Sequence, residues 1–87
     1  MFDYVIFKRT LHICTLSERV ENGEMWTKEV NYVSWNHRPA TLDVREWNAD
    51  HTKYKRGITL SEGEADMLAD ALFGLKIDRE LVDEYDF

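Results

Sequence analysis

The sequence predicts an α+β domain: a four-stranded antiparallel sheet followed by one helix, in the order ββββα. Three observations lead there. Four segments, residues 4–16, 25–35, 42–47 and 56–60, are rich in β-branched and aromatic residues, and the clearest of them alternate with the period of a strand. Asn22-Gly23, between the first two, is the residue pair best suited to a two-residue hairpin turn. After the fourth, Ser61 and Glu64 have the spacing of a capping box and open a run with helical periodicity.

The first segment carries Val5, Ile6, Phe7, Thr10, Leu11, Ile13 and Thr15 without Gly or Pro. Val5, Phe7, Leu11 and Ile13 share one parity, interrupted by Arg9, and His12 and Cys14 are expected on one face. Residues 18–24 are polar and read as the turn. In residues 25–35 bulky side chains occupy both parities, Trp26, Val30 and Tyr32 against Val33 and Trp35. A bulge, or a strand covered on both faces, is expected there. Residues 36–40 hold the sole proline, Pro39, and turn the chain. Residues 42–47 alternate cleanly, with Leu42 and Val44 pointing one way and Asp43, Arg45 and Trp47 the other, onto an exposed face. Residues 48–55 form an exposed, partly basic loop before the fourth strand.

In the helix, Leu60 is placed to staple onto Ala65, and Ala65, Leu68, Leu72 and Leu75 form one apolar stripe. Gly74 suits the position that ends it. Met67, Leu68, Ala71, Leu72 and Phe73 present more apolar surface than one small sheet covers, so they are the expected homodimer interface. A chain of 87 residues buries only about 60% of its unfolded surface, and dimerisation is a common remedy where disulfides and metals are lacking. Residues 1–74 are expected to make up the working domain and residues 75–87 an acidic tail or, from Ile77, Leu81 and Tyr85, a short packed helix.

The net charge is −6, from 11 Lys and Arg against 17 Asp and Glu. Residues 1–60 hold nine bases and eight acids, net +1, whereas residues 61–74 hold four acids and no base. The acid is thus segregated onto the helix and tail, and the strands keep local basic clusters. One cysteine, Cys14, excludes an internal disulfide. Metal-ligand spacings, a phosphate-binding glycine loop and carboxylates facing each other across a cleft are all missing, so neither cofactor, metal nor enzymatic activity is expected. Without a signal-peptide pattern or a membrane-length apolar run, the expected location is the cytoplasm.

A cation and an indole two residues apart on one strand suit a nucleic-acid backbone and a base. The fixed points D-V-R-E-W (43–47), K-R-G-I-T-L (55–60) and N-Y-V-S-W (31–35) give an ordered pattern that resembles the positive cofactor 4 family of transcriptional coactivators, its bacterial members above all, over roughly residues 24–74. The resemblance implies binding of single-stranded DNA, with RNA as the alternative strand. It implies that Arg45 contacts DNA and that Trp47 occupies the place of a stacking aromatic. Lys53, Lys55 and Arg56 match the basic residues ahead of the G-I-T-L strand, and Arg38 keeps the charge of the preceding turn. Trp35 falls in a strand that lines the family's binding surface, Lys28 adds charge, and Trp26 stays open between core and contact. The expected role is an accessory factor in transcription, replication or repair with little sequence preference. The alternative is a dimeric protein-interaction adaptor working through the acidic helix and tail. Residues 83–87 end on Phe87 and resemble the acidic tips with which bacterial and phage single-strand-binding proteins recruit protein partners.

Overall fold

The computed structural model describes residues 8–77. Strands β1 (Lys8–Glu21), β2 (Glu24–Trp35), β3 (Thr41–Asn48) and β4 (Ile58–Leu60) form one antiparallel sheet in that spatial order, and helix α1 (Glu62–Ile77) follows. This is the expected ββββα order. β1 runs on to Glu21, beyond the expected limit at Leu16, because Asn22 and Gly23 make the turn alone. Their φ values of 52° and 78° are those of the type I′ turn that matches strand twist. The connection after β2 uses the same geometry: Asn36 and His37 have φ of 50° and 66°, and the Arg38 amide donates to the Trp35 carbonyl at 3.0 Å.

The irregularity expected in residues 25–35 lies in the partner strand. β2 pairs with β3 without interruption, whereas the β1–β2 register shifts between His12 and Cys14 and again between Thr15 and Ser17. Ile13 and Leu16 are the extra residues. The first shift corrects the reading of His12 and Cys14. They pair with the adjacent residues Asn31 and Val30, and therefore lie on opposite faces of the sheet.

One face carries Thr27, Glu29, Asn31, Val33 and Trp35 of β2 beside Asp43, Arg45 and Trp47 of β3. Trp47 pairs with Thr27, eight residues along β2 from Trp35. At about 3.3 Å per residue a flat strand would hold them roughly 26 Å apart. Their rings nevertheless stack at 6.0 Å. The sheet therefore curls strongly onto this face and makes it concave, in keeping with the added twist that bulges impose. The concave face supplies much of the core: Val33 and Trp47 are fully buried there, together with Asn31 and Asp43. The opposite face is apolar, with Val30, Tyr32, Leu42, Val44, Ile58 and Leu60, and much of it is open. Among the described elements, α1 rests on β3 and β4 alone.

The helix start is as expected. The Ser61 amide donates to Glu64 Oε1 at 2.8 Å, and the Glu64 amide donates to Ser61 Oγ at 3.1 Å, a reciprocal capping box. The helix does not stop at Gly74 but continues to Ile77. Glycine in a helix interior costs about 0.8–1 kcal/mol relative to alanine, too little to break a helix whose next turn keeps the same backbone conformation.

The stretch expected as an exposed loop is largely folded back onto β3. Tyr54 bridges Trp47, and the Lys55 amide donates to the Glu46 carbonyl at 3.0 Å. Between the pairs Trp47–Tyr54 and Val44–Ile58, β3 has two residues and the returning chain has three, Lys55, Arg56 and Gly57. The surplus is absorbed where Gly57 crosses Arg45. A β-carbon on Gly57 would collide with Arg45 Cβ and the Val44 carbonyl. This close backbone approach explains the glycine of the K-R-G-I-T-L segment. Gly57→Ala is expected to lower stability by about 1–3 kcal/mol, read as a fall in thermal midpoint; an unchanged midpoint would refute the crowding.

Candidate nucleic-acid interface

Curling of the sheet brings Trp35, from the end of β2, against Trp47 and Tyr54 at the other end of the concave face. Trp35 and Trp47 are parallel within 11°, and His51 lies parallel to Trp47 at 4.5 Å between centroids. Tyr54 is tilted against both tryptophans, at 5.2 and 5.3 Å. Lys8 Nζ sits over the Trp47 ring at 5.3 Å and donates to the His51 carbonyl at 2.7 Å. The Arg45 guanidinium lies over Trp35 at 4.8 Å. The result is an aromatic column flanked by cations.

Trp47 is 0% exposed, which corrects its placement on an open face. The alternation of β3 is as expected, but the chain that returns through His51 and Tyr54 covers the indole. Its Nε1 is buried and has no hydrogen-bond partner, so its fit is one of ring packing.

Arg45 is likewise engaged within the chain. Its Nε and Nη2 donate to the two carboxylate oxygens of Asp43 at 2.7 and 2.6 Å, and Nη1 reaches the Lys55 carbonyl at 3.5 Å. The Arg45 side chain keeps 13% of its surface in solvent and that of Asp43 none. Thr59 Oγ1 donates to the same carboxylate at 3.3 Å.

Beside this pair lies a second buried carboxylate, Glu29. It accepts from Thr27 Oγ1 and Asn31 Nδ2 and faces His51 Nε2 at 3.1 Å, with His12 Nδ1 at 3.5 Å. Burial pushes the Glu29 carboxyl up, but the hydrogen bonds from Thr27, Asn31 and His51 outweigh it and hold the group below the usual carboxylate range.

The remaining predicted cations are scattered. Lys28, opposite Glu46, points to the apolar face, and so does Lys55, whose ammonium lies 4.6 Å from the centre of the Trp26 ring and bonds to Glu21. Trp26 is buried beneath it, which places that tryptophan in the core. The Asp50 carboxylate accepts from the Thr52 amide and hydroxyl. Lys53 is exposed beside Glu24 at 3.5 Å. Arg38 sits in the turn after β2, its carbonyl accepting from Ser34 Oγ at 2.6 Å. Arg38 and Arg56 are exposed and, like Lys28, form no ion pair with another described residue. The structure thus brings Trp35, Arg45 and Trp47 together and leaves Lys28 and Lys55 on the other face.

Sequence reasoning missed Lys8, His51 and Tyr54. Tyr54 carried a usable signal, an aromatic between Lys53 and Lys55. His51 carried none, since only the fold lays it on Trp47. Among the described residues no group of three or more His, Cys, Asp or Glu converges as metal ligands would.

Two comparisons place this architecture among known proteins. An uncharacterized protein of Treponema pallidum (strain Nichols) is 37% identical over 57 residues, covering 66% of this chain and 67% of that protein. The profile of the family described as Transcriptional Coactivator p15 (PC4) matches residues 23–71, from the turn before β2 into α1. A curled four-stranded sheet followed by one helix, with this match over more than half the chain, makes the protein a member of the PC4 family.

Proposed function

We propose that the protein is a homodimer that binds single-stranded DNA with little sequence preference, as an accessory factor in transcription, replication or repair in the cytoplasm. The observation that carries this reading is the cation-flanked aromatic column of the concave face, in a chain of the PC4 family. Stacking accepts any base, and phosphate contacts position a strand without reading its sequence. No catalytic step is assigned, and no described helix is long and apolar enough to cross a membrane.

The cations carry a quantitative expectation. Arg45, Lys53, Lys55 and Arg19 are already paired with acids of the same chain and Lys28 lies on the other face, whereas Arg38 and Arg56 are exposed and form no ion pair with another described residue. Lys8 adds a third charge, at the column. Few counterions are then released on binding, and the slope of log K against log salt should be shallow, of order −2 for single strands. Fluorescence anisotropy of labelled oligo-dT, a matched duplex and single-stranded RNA measures strand preference and slope together. Duplex bound as tightly as oligo-dT would overturn the reading. Failure to bind any of the three would favour an adaptor working through the exposed acidic helix and a protein partner at the acidic tail, whose residues 78–87 lie outside the described residues.

The second copy is assigned to the apolar surface of α1 and the open sheet face. Met67 is 73% exposed, Phe73 68% and Leu72 55%, and Leu68 and Ala71 are exposed beside them. Such a contiguous apolar patch is costly to leave in water. Leu72→Asp should give a monomer or an unfolded chain, whereas the parent should sediment as a dimer at micromolar concentration. A monomeric parent would overturn this assignment.

A further inference from the structure

Three rings of the column, Trp35, His51 and Tyr54, keep part of their surface in solvent, and of these His51 has the fewest neighbours among the described rings and cations. Trp47 has no exposed surface. Trp35 has Trp47 on it, Tyr54 against it and the Arg45 guanidinium over it. Tyr54 contacts both tryptophans and lies 5.6 Å from the Arg45 guanidinium. His51 touches, among the described rings, Trp47 alone, and its side chain keeps 30% of its surface in solvent.

The imidazole is also held still. The backbone of His51 is in the left-handed region at φ 60°, a conformation unfavourable for a residue with a β-carbon. Three contacts hold it there: its amide donates to the Asn48 carbonyl at 3.1 Å, its carbonyl accepts Lys8 Nζ at 2.7 Å, and Nε2 donates to Glu29. Glu29 is in turn fixed by Thr27 and Asn31. A loop-tip ring with its backbone and one ring nitrogen secured, stacked on a buried indole and open to solvent, is a pre-organised platform. Little side-chain entropy is left to lose when a second ring lands on it.

From this geometry we infer that His51 is the residue on which a nucleobase stacks, extending the Trp35–Trp47–His51 column by one ring, while Trp47 acts as its backing. Lys8, bonded to the His51 carbonyl, places a positive charge beside the seat for the adjoining phosphate. The inference rests on the proposed single-strand binding and adds to it the position of the base.

The test is nuclear magnetic resonance of the whole chain. His12→Gln and His37→Gln variants assign the three imidazoles, and oligo-dA is added to saturation. The His51 ring protons are expected to move upfield by the adenine ring current. In parallel, His51→Ala should bind oligo-dA about 5- to 150-fold more weakly, the fold-change equivalent of one lost base stack. His51→Phe, which keeps a ring there, should restore most of the loss. The resonances of the parent protein decide the matter even if Trp47, uncovered in the Ala variant, takes the base instead. Unmoved His51 signals in a saturated complex overturn the inference and leave single-strand binding standing. No complex with oligo-dA or oligo-dT overturns both.

Discussion

Trp47→Ala is expected to cost about 3–5 kcal/mol of folding stability, the range for truncating a large buried aromatic. The indole is fully buried, lies against Trp35, His51 and Tyr54, and has Lys8 over it. Its removal opens a cavity that the curled sheet cannot readily close, because Trp35 is held by β2, Tyr54 by its bridge to β3, and His51 by its bonds to Asn48, Lys8 and Glu29. A small domain has about 5–15 kcal/mol in total, so the variant should lose much of its margin. Denaturant unfolding measures this directly, and Trp47→Phe should recover part of it. The same variant tests the sequence-based placement of Trp47 on an open surface. A Trp47→Ala protein that keeps its stability but loses oligonucleotide affinity would restore that placement.

Arg45→Ala is expected to be as damaging, for an electrostatic reason. Asp43 has no exposed surface, and its carboxylate is balanced by the forked pair of bonds from Arg45. Removing the guanidinium leaves an uncompensated buried charge, for which about 3–5 kcal/mol is typical. Thr59 supplies a single remaining donor at 3.3 Å. Adding Asp43→Asn removes the stranded charge and should return a large share of the loss. The double-mutant cycle then separates the pair from the packing of Arg45 over Trp35. Additive losses in the cycle would show that the two side chains do not depend on each other. Weak DNA binding by Arg45→Ala, taken alone, could not distinguish a lost phosphate contact from a lost fold, so stability has to be measured first.

What the sequence made legible was local. The Asn22-Gly23 turn and the Ser61–Glu64 capping box each depend on residues within four positions of one another, and both are present. Alternation in β3 correctly separated Leu42 and Val44 from Asp43, Arg45 and Trp47, because the pleat fixes that parity. Alternation says nothing about which face is covered. The covering group here is the chain returning through His51 and Tyr54, and its position depends on the surplus residue at Gly57 and the curl of the whole sheet. The bulges at Ile13 and Leu16 were hidden for a similar reason. A bulge is a mismatch between two strands, and β1 read by itself has nothing to be mismatched with. Lys55 illustrates the same limit among charges: its partner Glu21 is 34 residues away, whereas the nearby Asp50 is taken by Thr52.

The two bulges of β1 also bear on how such a chain avoids aggregation. β1 is an edge strand of 14 residues and exposes Leu11, Ile13, Leu16 and Val20, a composition that invites pairing with another chain. A steric zipper needs six or seven residues in unbroken register. The regular runs of β1 are Lys8–His12 and Ser17–Glu21, five residues each, with only Cys14 and Thr15 between. Neither run is long enough to template a flat, extended partner, and the extra residues at Ile13 and Leu16 twist the open edge away from one. The irregularity that helps curl the sheet onto its aromatic column thus also acts as a gatekeeper, without a proline and without adding a charge to the strand.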